Sequence, residues 1–288
     1  MGMTLIQGKF RVVKASPDGD SIRFIAKNPE NWQKISKRVR ANYTGGVQLR
    51  LDSIDALETH FQARVGNLET VKQPPKYARA ASDELLKFLG YKKFTRNDNE
   101  IITSAEPAEV PGYILTKFAD QYGRGVAFVF PGEAKQKDGS DVHIDEALLK
   151  KSVNYHLLTQ GLVYPTFYSK LFPDLRKVLA SGSQVARQEK KGLWSLDKTN
   201  DGFTLESLET ITKEVVILPK LFRRLVAYLG INDGSASLEG FSSYLESTDD
   251  KVIILPDGHV TGFDYVVKVE GQNIKLNIAP ENLVFVEK

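Results

Sequence analysis

Acidic and arginine side chains are concentrated in three short patches of the sequence, and their types suit chemistry on a phosphodiester bond. The patches are residues 18–21 (DGDS), 50–58 (RLDSIDALE) and 120–125 (DQYGRG). Two carboxylates, together with backbone carbonyls and water, form the oxygen ligand set that Ca²⁺ prefers. A further glutamate can position or deprotonate water, and arginine can bind two phosphate oxygens at once. Together the patches predict metal-assisted hydrolysis, although each alone is more typical of an ordinary turn or strand.

Strands and turns are predicted around these patches, because apolar runs there are bounded by turn-forming residues. Pro17-Asp18-Gly19 is a strong turn signal, and a second turn is predicted at 120–123. The predicted strands are 9–15, 21–26, 47–55, 113–118 and 125–130. Helical spacing of apolar residues predicts a helix at 76–89 that stops at Gly90. Other predictions are an inserted loop or short helix at 28–46 and helices near 145–160 and 174–190.

Residues 197–202 (DKTNDG) have the composition of a linker, which predicts one domain at 1–198 and a smaller one at 203–288. In the smaller domain a helix at 220–229 has one apolar face, formed by Leu221, Phe222, Leu225, Val226 and Leu229. Predicted strands follow at 251–256, 259–270, 273–278 and 283–287. We expect a small α+β domain that acts in docking or positioning, and we expect residues 1–198 to fold and act without it.

The three patches belong to a series of five motifs that resembles the thermonuclease family, whose best-known member is staphylococcal nuclease. Members share a D-G-D-[TS] turn, an R-L-x-x-[IV]-D-x-x-E strand, a Y-G-R-x-x-A turn, a Q-G-[LY] segment and a helix that ends A-[RK]-x-x-[KE]-x-G-L-W. The matching segments here are 18–21, 50–58, 122–127, 160–162 and 186–194. They follow the family's order over residues 9–195, about two thirds of the chain.

The resemblance implies an α+β fold with an OB-type five-stranded β-barrel and packed helices. It also implies roles by position. Asp20 and Asp55 would bind Ca²⁺ with the backbone carbonyl of Ala56, and Asp18 would lie behind these ligands. Glu58 would act on the attacking water, as a base or as an orienting group. Arg50 and Arg124 would hold the phosphate, and Tyr122 would line the nucleotide pocket. In this family water attacks phosphorus, the 5′ oxygen leaves, and 3′-phosphate ends result.

The sequence departs from the family pattern at several positions. Ala56 and Leu57 replace Thr and Pro, and Gln121 replaces a lysine, which removes one phosphate contact. Phe167 occupies the place of a base-stacking tyrosine, with Tyr164 and Tyr168 nearby. All three rings have two interpretations, contact with bases or packing in the core. Two insertions, one around 28–46 and one within either 60–75 or 94–110, are expected to enlarge the rim of the site.

Charge and composition favour a nucleic-acid substrate without identifying it. Residues 203–288 contain 8 Lys and Arg against 13 Asp and Glu, a balance of −5, so the total of +3 leaves +8 for residues 1–202. A basic segment suits a polyanion such as DNA or RNA, while the acidic one suits a protein partner. A membrane is not an expected partner, since no apolar run reaches eighteen residues.

The compartment and the catalytic status each have two readings. The sequence lacks cysteine and a signal-peptide pattern, which favours a cytoplasmic location and leaves a secreted mature form open. Retention of all five charged positions (Asp20, Arg50, Asp55, Glu58 and Arg124) favours a calcium-dependent nuclease. The alternative is a module on the same barrel that binds nucleic acid or protein without turnover.

Overall fold

The computed structural model describes residues 2–66 and 68–287, and the chain folds into two compact units. The first unit contains Met1–Ile54 and Ala80–Thr159, and the second contains Asp55–Arg79 and Gln160–Lys288. Asn67, inside the insertion predicted at 60–75, lies outside the described residues. None of the helices in the described part of the chain is long and apolar enough to cross a membrane.

The strands and helices are numbered in chain order. The strands are β1 (Met3–Phe10), β2 (Ser21–Ala26), β3 (Gly46–Leu51), β4 (Ile54–Asp55), β5 (Lys93–Arg96), β6 (Ile102–Glu106), β7 (Val110–Ala119), β8 (Gly125–Pro131), β9 (Asp141–Val142), β10 (Tyr164–Pro165), β11 (Phe167–Tyr168), β12 (Phe203–Thr204), β13 (Lys251–Ile254), β14 (His259–Gly262), β15 (Val267–Glu270), β16 (Asn273–Leu276) and β17 (Leu283–Phe285). The α-helices are α1 (Pro75–Leu89), α2 (Glu146–Leu149), α3 (Val153–Thr159), α4 (Pro173–Gln188), α5 (Pro219–Ile231), α6 (Phe241–Ser247) and α7 (Phe263–Val266). Shorter helical turns occur at Pro29–Lys34, Gly192–Ser195, Thr210–Glu214 and Pro280–Asn282.

The first unit is built on a closed barrel of five strands, which confirms the fold that the sequence predicts. The strands are hydrogen-bonded in the order β2-β3-β8-β7-β1, and β1 also pairs with β2, which closes the sheet. All pairings in this ring are antiparallel except β3 with β8. The barrel strands are buried on both faces, and their side chains with at most 1% exposure include Leu5, Ile6, Phe10, Ile22, Phe24, Leu49, Ile114, Phe128 and Phe130.

Gly8 of β1 and Gly112 of β7 lie where neighbouring groups of the barrel approach the backbone closely. The two glycines lie opposite each other in the strand register. A Cβ atom on Gly8 would meet the carbonyl oxygen of Ile25 at 2.2 Å, and one on Gly112 would meet the ring of Phe10 at 2.2 Å. Larger residues therefore do not fit at these positions, as expected for strand glycines where another backbone approaches.

Several element boundaries in the first unit differ from the sequence prediction. The strand predicted at 9–15 is β1, which ends at Phe10; the following residues form a turn in which Ala15 N donates to Val12 O. The strand predicted at 47–55 is interrupted because Ser53 has a φ of 69°. The helix predicted at 145–160 is split into α2 and α3 by Ser152, whose hydroxyl donates to Leu149 O and accepts from Tyr155 N.

Two of the polar segments predicted as insertions contain regular structure. The one at 28–46 begins with the helical turn at Pro29–Lys34, and the one at 94–110 contains most of the antiparallel hairpin of β5 and β6. The helix predicted at 76–89 is confirmed as α1, and the boundary between the two units falls inside it.

The second unit packs two small sheets and several helices around one hydrophobic core. One sheet has the order β11-β17-β13-β14, and the other has the order β12-β16-β15. The helix predicted at 220–229 is confirmed as α5, and all five residues of its predicted apolar face are buried. The strand predicted at 259–270 is interrupted by the helical turn α7, which buries Phe263 and Val266.

The predicted domain boundary at 198–203 does not coincide with the boundary between the units. Leu57, Tyr164 and Trp194 share a hydrophobic core with residues from 203–285. In addition, β11 pairs with β17 near the end of the chain. The predicted linker is itself hydrogen-bonded, since Lys198 N donates to Val216 O at 2.8 Å and Leu276 N donates to Thr199 O at 2.7 Å. Residues 203–285 therefore contribute to the same core as residues 160–196.

Candidate functional site

Asp20 and Arg50 are positioned by adjacent strands of the barrel in the first unit. Asp20 precedes β2, and its carbonyl oxygen accepts a hydrogen bond from Leu51 N at 2.7 Å. Its neighbour Ser21 lies opposite Arg50 in the β2–β3 register. In the parallel β3–β8 pair Arg50 is aligned with Val126, two residues after Arg124. The barrel therefore brings the backbones of Asp20, Arg50 and Arg124 to one end of three adjacent strands.

The turn that carries Arg124 is held by the carboxylate of Asp120. Asp120 Oδ1 accepts from the backbone N–H groups of Tyr122 and Arg124, both at 2.9 Å. Asp120 Oδ2 accepts from Arg124 Nε at 2.7 Å. The guanidinium carbon of Arg124 also lies 5.6 Å from the centre of the Tyr122 ring. The Arg124 side chain is 30% exposed, so it is oriented by protein contacts and accessible to solvent.

Glycine is required at position 123 of this turn. Gly123 has a φ of 81°, and a Cβ atom there would lie 2.5 Å from the Arg40 side chain. The ring of Tyr122 is 43% exposed, which suits its predicted place beside a nucleotide. Gln121, which replaces the family's lysine, is exposed and donates from Nε2 to the Tyr122 hydroxyl at 3.1 Å.

In the second unit Asp55 and Glu58 bind the same guanidinium group. Arg223 Nη2 donates to Asp55 Oδ2 at 2.6 Å, and Arg223 Nη1 donates to Asp55 Oδ1 at 3.2 Å and to Glu58 Oε1 at 2.5 Å. The exposed fractions of the side chains are 2% for Asp55, 16% for Glu58 and 24% for Arg223. The structure thus places a cation from helix α5 on the two carboxylates to which the family resemblance assigns metal binding and water activation.

Gln73 connects the Glu58 loop to the segment that begins α5. Its side chain is fully buried; Gln73 Oε1 accepts from Glu58 N at 3.1 Å, and Gln73 Nε2 donates to Ile217 O at 2.8 Å. Pro219 then starts α5, and Phe61 packs against Phe222 with 6.2 Å between the ring centres. These contacts fix the loop that carries Asp55 and Glu58 against the helix that carries Arg223.

The charges of the two carboxylates stabilise the protonated form of Arg223. Burial lowers the pKa of Arg223, but the charges of Asp55 and Glu58 outweigh it and raise the pKa well above the usual range. Two other cationic residues of α5, Lys220 and Arg224, are directed to Asp250 instead. Arg223 and Arg224 are therefore adjacent in sequence and bind different carboxylates.

Tyr164 and Phe167, predicted as candidate base-stacking residues, are both fully buried. Tyr164 donates from its hydroxyl to Asp197 Oδ1 at 2.6 Å and packs edge-on against Trp194 at 5.0 Å. A ring without an exposed face cannot stack on a base, so the core-packing interpretation is correct for these two residues. Tyr168 is half-buried and lies 6.0 Å from the ring of Phe285.

The candidate calcium ligands have suitable oxygen donors, but the positive charge of Arg223 beside Asp55 opposes metal binding. Asp20, Asp55 and the carbonyl of Ala56 are the oxygen donors that calcium prefers. However, both oxygens of Asp55 accept from Arg223, and a metal ion at the same oxygens would be repelled by the guanidinium. Among the residues that the structure describes, no group of three or more His, Cys, Asp and Glu side chains could hold a metal ion. Asp55 therefore fits a calcium ion only when Arg223 is turned away.

The comparison with protein families agrees with this fold. A family model described as staphylococcal nuclease homologue matches residues 48–196, slightly more than half of the chain. The chain belongs to the staphylococcal nuclease homologue family. The match includes Arg50, Asp55, Glu58 and Arg124 of the predicted site, whereas Arg223 lies outside it. No curated protein matches the chain.

Sequence reasoning missed Arg223 and Gln73. The pattern of α5 shows which face is apolar, but it cannot show which carboxylate a cation on another face will bind. The sequence did show that Arg223 lies outside the apolar face of α5, so its side chain was available to bind a group other than the core. The match to the staphylococcal nuclease homologue family ends at residue 196 of this chain, so family membership gives no information about α5.

Proposed function

We propose that this chain hydrolyses phosphodiester bonds in DNA or RNA and that the reaction depends on calcium. Membership of the staphylococcal nuclease homologue family supports a nuclease-like or nucleic-acid-binding function. The observation that carries the more specific proposal is the Asp120–Arg124 pair. It presents a pre-oriented, partly exposed guanidinium beside the exposed ring of Tyr122. Such a group suits a phosphate and its adjacent base.

The residues take the roles that the resemblance implies. Arg50 and Arg124 stabilise the negative charge that develops on the phosphate as water attacks. Glu58 orients that water or removes its proton. Asp20, Asp55 and the carbonyl of Ala56 would hold calcium, with Asp18 behind them. When bound, calcium would supply positive charge to a nonbridging phosphate oxygen. The expected products carry 3′-phosphate ends.

A cleavage assay with the full chain tests this proposal. Single-stranded DNA and RNA are incubated with the protein in calcium, in magnesium or in EGTA. We expect cleavage in calcium, slower cleavage in magnesium and none in EGTA, because Mg²⁺ requires tighter octahedral geometry than these ligands offer. Equal rates in calcium and magnesium, or cleavage that resists EGTA, would contradict the calcium assignment.

A second function is favoured by the position of Arg223. Because its guanidinium occupies both Asp55 and Glu58, the chain could act as a nucleic-acid-binding module without turnover. The same assay separates the two functions when binding is measured on the same oligonucleotides by fluorescence anisotropy. Tight binding with no cleavage at any calcium concentration supports the module, and cleavage in calcium supports the enzyme.

A further inference from the structure

Arg223 satisfies a charge requirement that a divalent cation would otherwise meet. Asp55 is almost completely buried and Glu58 is mostly buried, so two negative charges lie largely outside water. Charges in such positions are stable only when they are paired. Arg223 provides three hydrogen bonds to them and one positive charge, with the bidentate geometry that arginine forms with carboxylates.

The contact is built into the second unit and is not an incidental surface pair. Gln73 is fully buried and bonds both Glu58 N and Ile217 O, which are on the two sides of the contact. Near the C-terminal end of α5, Gly230 is approached by Gly66 of the loop. A Cβ atom on Gly66 would lie 2.2 Å from the Gly230 carbonyl oxygen. The loop and α5 are therefore fixed together at both ends of the surface that contains Arg223.

Arg223 also has room to move without unfolding α5. Its neighbours Leu221, Phe222 and Leu225 hold the helix in the core, while 24% of the Arg223 side chain is exposed. A long flexible side chain on a fixed helix can change rotamer while its backbone stays in place. The carboxylates can therefore exchange one cation for another.

From these contacts we infer that Arg223 is an internal counter-cation that competes with a divalent metal ion for Asp55 and Glu58. The guanidinium and the metal ion exclude each other at the Asp55 oxygens because both are positive and use the same lone pairs. Metal affinity in the free chain is consequently lower than the ligand set alone would give. The inference rests on the proposed function only in its choice of ligand, a divalent cation.

The test uses two titrations of the full chain. Calcium binding is measured by calorimetry, and binding of Tb³⁺, a calcium substitute, is measured by its luminescence. We expect Arg223→Gln to bind either ion about tenfold more tightly, or better, than the wild type. The matched control is Arg224→Gln, because Arg224 is the next residue and pairs with Asp250. Its affinity should equal that of the wild type. Equal affinity of Arg223→Gln and the wild type, or no binding by either, would overturn the inference.

A second measurement on the wild-type chain covers the case in which Arg223→Gln does not fold. The Nε–H resonance of Arg223 is followed by NMR during the calcium titration and is assigned with Arg223→Lys. Saturation with calcium should shift this resonance and increase its exchange with water. An unchanged resonance at saturation would contradict the competition. Neither readout depends on catalysis, so a chain that cleaves nucleic acid without this competition would retain the proposed function.

Discussion

Arg223 donates to both carboxylate oxygens of Asp55, at 2.6 and 3.2 Å, and so joins helix α5 to the last residue of β4. Asp55 lies inside the region that matches the staphylococcal nuclease homologue family, and Arg223 lies outside it. A residue of the C-terminal region therefore contributes directly to the surroundings of a predicted calcium-binding carboxylate. This contact between residues 203–288 and the predicted site was not suggested by their sequence.

Truncation of the chain at Lys198 is expected to abolish folding of the second unit. The deletion removes Phe222, Leu225 and Phe285, which share one core with Tyr164 and Trp194. The burial energy lost with these side chains exceeds the whole free energy of unfolding of a small domain, roughly 5–15 kcal/mol. This expectation is the opposite of the one from sequence alone.

Circular dichroism and thermal unfolding of the truncated and full chains provide the measurement. A fragment of residues 1–198 that unfolds cooperatively and cleaves nucleic acid would restore the prediction of an independent nuclease domain. Limited proteolysis of the full chain adds a control: the bonds at 197–202 should resist cleavage, since that segment is hydrogen-bonded to Val216 and Leu276.

Replacement of either predicted phosphate-binding arginine by lysine is expected to lower kcat by about 10²–10³. Lysine keeps the charge in Arg50→Lys and Arg124→Lys but loses the planar fork that binds two oxygens. The matched control is Arg96→Lys, an arginine of the same unit that pairs with Asp83 and lies outside the predicted site. Single-turnover rates on labelled DNA measure the effect. A kcat near wild type in both site variants would show that these arginines do not hold the phosphate.

Tyr164→Phe is expected to reduce stability and to leave nucleic-acid affinity unchanged. The variant loses the hydrogen bond from the tyrosine hydroxyl to Asp197. The pKa of this buried carboxylate is raised overall, because the effect of burial outweighs that of the hydrogen bonds from Thr199 and Tyr164. Loss of such a bond costs about 1–2 kcal/mol. Urea unfolding and fluorescence anisotropy with single-stranded DNA measure the two effects. Tyr122→Ala should lower the affinity for DNA and leave stability unchanged. A loss of DNA affinity in Tyr164→Phe would contradict the placement of Tyr164 in the core.

The sequence predicts the barrel well because its strands and turns depend on local patterns. Turn residues such as Pro17, Gly19 and Gly123 identify the connections, and alternating apolar residues identify β2, β7 and β8. The prediction is less accurate where a single backbone or side-chain interaction ends an element. Ser53, with its positive φ, and Ser152, with its hydroxyl bonded to the backbone, interrupt elements that the apolar pattern continues.

Long-range contacts account for the rest of the difference. The composition of residues 197–202 is that of a linker, but Thr199 is fully buried and its hydroxyl accepts from Leu218 N at 2.9 Å. The pairing of Phe167 with Val284 and the contact of Arg223 with Asp55 join residues more than a hundred positions apart. Periodicity within a short window carries no information about such partners. The sequence therefore predicts Asp55 and Glu58 as site residues but gives no sign of the cation that binds both of them.

The stability of the chain is expected to rise with pH through the titration of Lys220. Burial lowers the pKa of Lys220 to about 8 from 10.5, against the opposing charge of Asp250. Between these values the unfolded chain binds the proton more strongly, so raising the pH over this window favours the folded chain. Relative to Lys220→Met, the free energy of unfolding of the wild type should increase by on the order of 2 kcal/mol from pH 8 to pH 10.5. If the free energy of unfolding of the wild type and of Lys220→Met changed with pH in parallel, the pKa of the Lys220 amine would not be lowered in the folded chain.

The most direct test of the central claim compares wild-type and Glu58→Gln chains on 5′-labelled single-stranded DNA in calcium. Identical preparation of the two proteins excludes a contaminating nuclease as the source of activity. We expect the wild type to cleave the DNA to products with 3′-phosphate ends, which polynucleotide kinase with 3′-phosphatase activity converts to slower-migrating species. Glu58→Gln should be slower by at least about 10². Equal rates for the two proteins, or no cleavage by the wild type at any calcium concentration, would show that Glu58 does not act in calcium-dependent hydrolysis.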